Sequence, residues 1–400
     1  MLRKDDLARI KLPLLLVAGI ALIASLQLVP LPPDLWTLLP EHEAIARLDN
    51  LLGLEVWRPV TLSSAATINA LGSLTVPLAA LLLFSMVRDH TPVLLGFVAI
   101  GIVSALLGIM QLFADPRSGL FFYEITNNGS AVGLFANRNH HAVFLACCLL
   151  VSLFLMQHSD ERRFPWIKWS MAAAGAFLAL AIITNASRAG IIALCMSLFL
   201  GALTLGIDRL KTRKTSAAAR QGKFLPILLA VVAIILLPLF ALAERSPALA
   251  RILENSALED LRAKLLPILL DMVGDFQPWG SGLGAFEYAY RMREPVDLLG
   301  PAYVNEAHND WLQFPIETGV PGLILFALLA VICVRRFIRL PYERGARSEP
   351  WLGLGILIVL GAASVVDYPL RVPSVMVLAV IALAMFGAPA LKGKSPEVSV

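Results

Sequence analysis

Ten long apolar runs dominate the sequence, near 12–30, 67–87, 92–113, 140–157, 167–185, 189–207, 224–243, 316–334, 351–366 and 372–388. A helix of about 20 apolar residues reaches across roughly 30 Å of hydrocarbon, and irregular backbone survives at that depth only where protein or trapped water surrounds it. The sequence therefore predicts an all-α polytopic membrane protein of about ten transmembrane helices, within a range of ten to twelve, with a partly helical extracytoplasmic region. Composition closes the alternative of a soluble domain: 58% of residues are hydrophobic, 16% are charged, and the mean hydropathy is +0.75. Residues 1–400 are read as a single integral membrane domain.

The first run follows a basic start and ends in PLPP without a small-residue cleavage site, so it is read as a retained span. Cys147, Cys148, Cys195 and Cys333 all lie in apolar runs with no ligand-like spacing, which suggests packing residues and neither a disulfide framework nor a metal site.

Charge sets the orientation. With the N-terminus inside, the dense basic loops around Arg162, Lys211 and Arg344 fall on one side together with both termini, which is the positive-inside pattern. The other side holds three substantial pieces, 31–66, 114–139 and 244–315. Among its basic residues, Arg47, Arg58, Arg117, Arg138, Arg188, Arg245, Arg251, Arg262, Arg291, Arg293 and Arg371 stand beside a single lysine, Lys264. The planar fork of Arg suits bidentate phosphate contacts, so the bias fits an anionic, phosphate-bearing ligand.

Four outer stretches carry polar chemistry. The 31–66 piece mixes Trp36, Trp57 and spaced leucines with charges, as an outer interfacial loop would. In TNNGSAVGLFANRNHHA, Asn137, Arg138, Asn139 and His140 crowd the start of the fourth span, where they suit sugar or phosphate contact or helix capping. His140 and His141 are adjacent and cannot share a helical face as a metal pair would. The connection TNASRAG holds Arg188 close to the bilayer, a costly position unless the charge is paired or functional.

The 244–315 piece is read as a long extracytoplasmic loop with amphipathic helices, one of them carrying Arg262. Its GSGLG turn follows no strand and lacks a Lys-Ser/Thr ending, so it is no nucleotide-binding loop, and its glycines serve tight turning or close backbone approach. At its end NEAHNDWLQFPIETGVPG puts Glu306, His308, Asn309 and Asp310 at the mouth of a helix that Pro315, Gly319, Pro321 and Gly322 should break. A water-filled cavity beside His308 is the economical way to accommodate that break.

Taken in order, FANRNHHAVFL, SRAG, Arg262 with Leu266 four residues on, and His308 with Gly319 eleven on, inside HNDWLQFPIETGVPG, make the chain resemble the bacterial O-antigen ligase and polymerase superfamily of GT-C-like membrane glycosyltransferases, over roughly residues 60–390. The resemblance implies transfer of a glycan from an undecaprenyl-diphosphate carrier to an acceptor hydroxyl, without metal, nucleotide sugar or other cofactor. It implies a bacterial inner-membrane location with the active site facing the periplasm.

The acceptor would be lipid A-core or another glycan, as in lipopolysaccharide or exopolysaccharide biosynthesis, and nucleic acid is no partner. His308, Arg262 and Arg188 are the expected catalytic residues, the arginines clamping the diphosphate and His308 taking the acceptor's proton. Arg138, Asn139, His140, Asn309, Asp310 and Glu306 are the expected substrate contacts, with Asp310 or Glu306 open as the group that orients His308. A polymerase of lipid-linked repeat units shares this chemistry. A transporter or flippase of lipid-linked sugars is the rival of another class, against which stands the lack of an internal repeat.

Overall fold

The computed structural model describes residues 4–127, 129–158, 165–212, 256–299, 304–340 and 348–388. Among them the regular structure is helical, apart from one antiparallel bridge between Leu31 and Arg58. Six helices are long and apolar enough to cross a membrane: Leu7–Gln27, Ser64–Met86, Thr91–Leu112, Arg138–His158, Trp166–Thr184 and Asp310–Arg339. Three further predicted runs form shorter apolar helices, Arg188–Thr204, Glu349–Ala363 and Pro373–Gly387. The last two have 15 residues each, about 22 Å at about 1.5 Å per residue, because the chain between them is punctuated by Pro369 and Pro373 and carries Asp367 and Arg371. The run at 224–243 and the basic loops around Arg162 and Arg344 lie outside the described residues.

The chain forms two compact units. One comprises Val87–Ala257 and Arg347–Ala363. Its axis is the Arg138–His158 helix, 89% buried, around which pack Thr91–Leu112, Pro165–Thr184, Arg188–Thr212 and Glu349–Ala363. Without a hydrophobic force between helices in lipid, close association needs small residues at the contacts. Each neighbour supplies one: Gly101 faces Cys148, Gly175 faces Leu149, Gly201 faces Leu153 and Gly355 faces Leu150. Cys147 and Cys148 are fully buried on that axis, packing residues as expected.

The other unit comprises Met1–Met86, Leu258–Ala346 and Ser364–Val400. Here Lys4–Gln27 packs on Pro373–Gly387, Thr75–Met86 and Asp310–Arg339. The Ser256–Asp275 helix packs within this unit: its Leu265, Leu269, Met272 and Phe276 recur at helical spacing and bury against Phe286, Tyr290 and Ile316. Leu266 and Leu270, on the same helix, stay exposed.

Candidate functional site

The Asp310–Arg339 helix is broken at Gly319, whose φ of 61° and ψ of −155° interrupt it one turn after Pro315. Such a break frees carbonyls and an N–H that would otherwise be paired along the helix. Protein satisfies them: Ser281 N donates to Ile316 O at 2.9 Å, Gly282 N to Glu317 O at 3.0 Å, and Val320 N to Pro278 O at 2.9 Å. Gln27, at the end of the first helix, adds its amide to Glu317 O at 2.7 Å and accepts from Leu283 N at 2.9 Å. The GSGLG turn is therefore the seat of the broken helix, which is the close backbone approach its glycines suggested. Where the sequence pointed to a water-filled cavity as what accommodates the break, the turn itself occupies that place.

Upstream of the break, the first turns of this helix hold buried charge. Arg371 Nη1 lies 2.8 Å from Glu317 Oε2, and its Nε lies 3.6 Å from Asp310 Oδ1. Gln313 bridges the acids, donating to Glu317 Oε1 at 3.0 Å and to Glu306, while its own oxygen accepts from Ala307 N at 2.8 Å. Asp310 accepts from Ser364 Oγ at 2.9 Å and from Leu370 N at 3.2 Å.

One guanidinium thus answers three carboxylates. Burial works against the Arg371 charge, but Glu317, Glu306 and Asp310 more than offset it and hold its pKa above the ordinary arginine value. Burial pushes the Glu306 carboxyl up, against the attraction of Arg371.

His308 stands just before this helix, at a positive φ of 51°. Asn309 caps the helix, its side chain accepting from Leu312 N at 3.2 Å, so one expected substrate contact has a structural task. The His308 ring is pinned on one side: Nδ1 lies 3.2 Å from Asp367 Oδ1, and Tyr368 meets the ring edge-on at 4.9 Å between centroids. Asp367 is buried, whereas 28% of the His308 side chain remains accessible. A carboxylate can only accept, so Nδ1 carries the hydrogen in the neutral ring and Nε2 keeps a lone pair. The carboxylate on the imidazole is thus Asp367, where sequence reasoning weighed Asp310 and Glu306. Those two face Arg371 and Gln313 instead.

In the other unit, the two polar motifs meet at one end of the central helix. Asn137 caps Arg138–His158 by accepting from Asn139 N at 2.8 Å, and Asn127 accepts from Arg138 N at 3.0 Å. Ser187 accepts from Gly190 N at 3.0 Å and donates to Asn139 Oδ1 at 2.7 Å, tying the start of Arg188–Thr212 to its neighbour. A Cβ on Gly190 would lie 2.6 Å from that of Ala142, so the two helix starts are in direct contact. Arg138 and Arg188 are the first residues of these helices, half-buried, with His140 buried beside them. The starts of these two helices, each opening on an arginine, thus lie side by side.

Arg262 lies in the Ser256–Asp275 helix, and its side chain is outside what the structure describes. The set that sequence reasoning missed is Gln313, Glu317, Ser364 and Asp367, with Arg371 noted only as an outer basic residue. Two signals could have found them: Glu317 is an acid inside an apolar run, and Asp367 and Arg371 sit four apart in the short gap before the last helix. Among the described residues no group of three or more His, Cys, Asp or Glu is placed to hold a metal ion.

In comparison with known families, residues 173–327 match the family described as O-Antigen ligase. The matched stretch includes Arg188, Arg262, Glu306, His308, Asn309, Asp310 and Glu317, and ends before Asp367 and Arg371. No curated protein matches the chain.

Proposed function

On the premise that residues 173–327 belong to the O-antigen ligase family, we propose that this membrane protein transfers a glycan from an undecaprenyl-diphosphate carrier to an acceptor hydroxyl at the outer face of the bacterial inner membrane. Lipid A-core is the acceptor we favour, and a second lipid-linked repeat unit, as in polymerisation, is the alternative that shares the chemistry. The observation that carries the reading is the His308 ring, held by buried Asp367 through Nδ1 and left accessible on its other side.

In the proposed step, Nε2 of His308 takes the proton of the acceptor hydroxyl as its oxygen attacks the anomeric carbon of the donor glycan. The bond from that carbon to the diphosphate oxygen breaks, and its electron pair leaves with the carrier. The carrier diphosphate, doubly charged in the donor, gains a third negative charge as it leaves, and needs compensation of that charge and no proton, which guanidinium groups supply in a partly desolvated site. Arg188 and Arg262 are assigned that task, with Arg138, Asn139 and His140 as further donor contacts. Glu306 and Asp310 are assigned to shaping the acceptor side through their network with Arg371 and Gln313. The step invokes no metal, so chelators should leave the rate unchanged.

The test is purified protein in lipid with an undecaprenyl-diphosphate oligosaccharide and, in separate reactions, lipid A-core or no added acceptor. Transfer to lipid A-core that falls about 10²–10⁴-fold in His308→Ala, with donor binding largely kept, is the expected result. Elongation of the donor alone would mark a polymerase. Full transfer by His308→Ala would remove the mechanism, and movement of intact donor across the bilayer with no new glycosidic bond would put a flippase in its place.

A further inference from the structure

Residues 28–63 join the end of one candidate span, Leu7–Gln27, to the start of the next, Ser64–Met86, so covalent continuity keeps this segment at one membrane surface. It is closed on itself. Leu31 and Arg58 exchange both backbone hydrogen bonds, at 2.9 and 3.1 Å, and Arg58 grips Asp49 through two contacts of 2.7 Å. Trp36, expected from its type to lie at the membrane interface, is instead buried in the middle of this clip, its Nε1 on Val56 O at 2.9 Å and Arg58 over its ring. On its outer side Arg293 pairs with Glu41 through two contacts, the shorter of 2.6 Å, and ties the clip to the Ser256–Asp275 region.

A small inner core would leave the remaining surface polar in a water-soluble fold. It does not. The Glu43–Leu52 helix turns Asp49 and Ile45 inward and Glu43, Arg47 and Asn50 to one side, and it leaves Leu48, Leu51 and Leu52 as a second apolar stripe at i, i+3 and i+4, exposed by 56%, 85% and 62%. Leu38 and Trp57, exposed by 79% and 62%, lie in the flanking turns of the same clip. An amphipathic helix whose inner face is already packed has no use for a second apolar stripe in water, and at a membrane surface the acyl boundary is the apolar neighbour at hand.

We infer that residues 31–58 form an interfacial clip that inserts Leu48, Leu51 and Leu52 into the lipid leaflet bordering the first two spans, with Glu43, Arg47 and Asn50 at headgroup level. The occupant of the stripe is the bilayer itself. Neither the carrier's polyprenyl tail nor a second copy of the chain is needed to cover it, and the inference is independent of the reaction proposed above.

Full-length protein in phosphatidylethanolamine and phosphatidylglycerol vesicles tests this by spin labelling, in a background with Cys195→Ser and Cys333→Ser. Single cysteines at 48, 51 and 52 are compared with 43, 47 and 50, all exposed positions that leave the Arg58 ties intact. The expected result is a several-fold higher ratio of oxygen to nickel-chelate collisions at the leucine positions than at the polar ones, without added donor lipid. Equal and high nickel-chelate access at both sets would show a solvent face and overturn the inference. So would labels at 51 and 52 that neither reagent reaches, or that broaden each other's spectra, since protein would then cover the stripe.

Discussion

Gly280 and Gly319 face each other so closely that neither can carry a side chain: a Cβ on Gly319 would lie 2.3 Å from Pro278 O, and one on Gly280 would lie 2.3 Å from Glu317 O. Both have positive φ, so steric exclusion adds to backbone strain. Gly53 has nearly the same φ, 64°, with nothing within 4 Å of its Cβ position, which makes it the control.

Gly53→Ala should cost only the left-handed strain, about 1–2 kcal/mol. Gly319→Ala and Gly280→Ala should cost distinctly more and separate the turn from the helix break. Thermal unfolding in detergent checks the order, and a Gly319→Ala protein as stable as Gly53→Ala would mean that the turn yields freely.

The Arg371 guanidinium answers Glu317, Asp310 and Glu306 together, so deleting it and deleting one acid are unequal acts. Arg371→Met strands buried Asp310 and Glu317 and half-buried Glu306, and should destabilise by about 3–5 kcal/mol, the range for breaking a buried pair. Glu317→Gln should be milder, because Asp310 remains beside the guanidinium. Acid should soften the Arg371→Met loss, since Glu306, whose burial already raises its pKa, then takes up a proton. Chemical unfolding at two pH values measures both, and equal losses in the two variants would contradict the shared-cation picture.

Much of this was legible in the sequence because apolar length and glycine placement act locally. Within the described residues the apolar runs coincide with helices, and Pro315, Gly319, Pro321 and Gly322 marked the stretch whose break falls at Gly319. His308 was singled out by type and position, NRNHH by polar density and SRAG by a charge beside the bilayer, and Ser187 and Asn139 join those two motifs directly. The partners of His308 and Glu317 were not, because Asp367 and Arg371 come 59 and 54 residues later, and pairing at that range has no periodic signature. The burial of Trp36 was not legible for a related reason: a mix of Trp, Leu and charge in a segment does not say which of its residues the segment folds over.

The clip should respond to acid in two separate steps. Burial depresses the His42 pKa below its ordinary 6.5, against the pull of the Pro40 carbonyl, so its neutral form belongs to the fold. That contribution is complete above 6.5 and is lost as pH falls through the depressed value. Arg58 holds the Asp49 carboxyl below its ordinary 3.8, so the second contribution persists through mild acid and fails only below that range. Protection of the Leu31 and Arg58 amides, taken relative to their intrinsic exchange at each pH, should therefore fall first below pH 6.5 and again under strong acid, and His42→Gln should erase the first step alone. A single transition below 3.8 in the unaltered protein would mean that His42 is uncoupled from the clip.

Asp367 is a positioning residue for His308, and its replacement by Asn should expose that role. The carboxylate oxygen lies 3.2 Å from Nδ1 and also accepts from Tyr368 N at 3.0 Å, which fixes the acid before it fixes the ring. Asn at this position can offer its amide N–H to Nδ1, which would move the ring hydrogen to Nε2 and leave no lone pair for the acceptor's proton. Transfer should then fall within about 10²–10⁴-fold, the span of general-base assistance, while donor binding changes little. Asp367→Glu keeps the charge and should recover part of the rate. Because both residues serve one step, His308→Ala combined with Asp367→Asn should be scarcely slower than His308→Ala alone. Additive losses in that pair, or an Asp367→Asn protein whose unfolding temperature drops while its per-molecule turnover holds, would assign Asp367 to the fold and not to the imidazole.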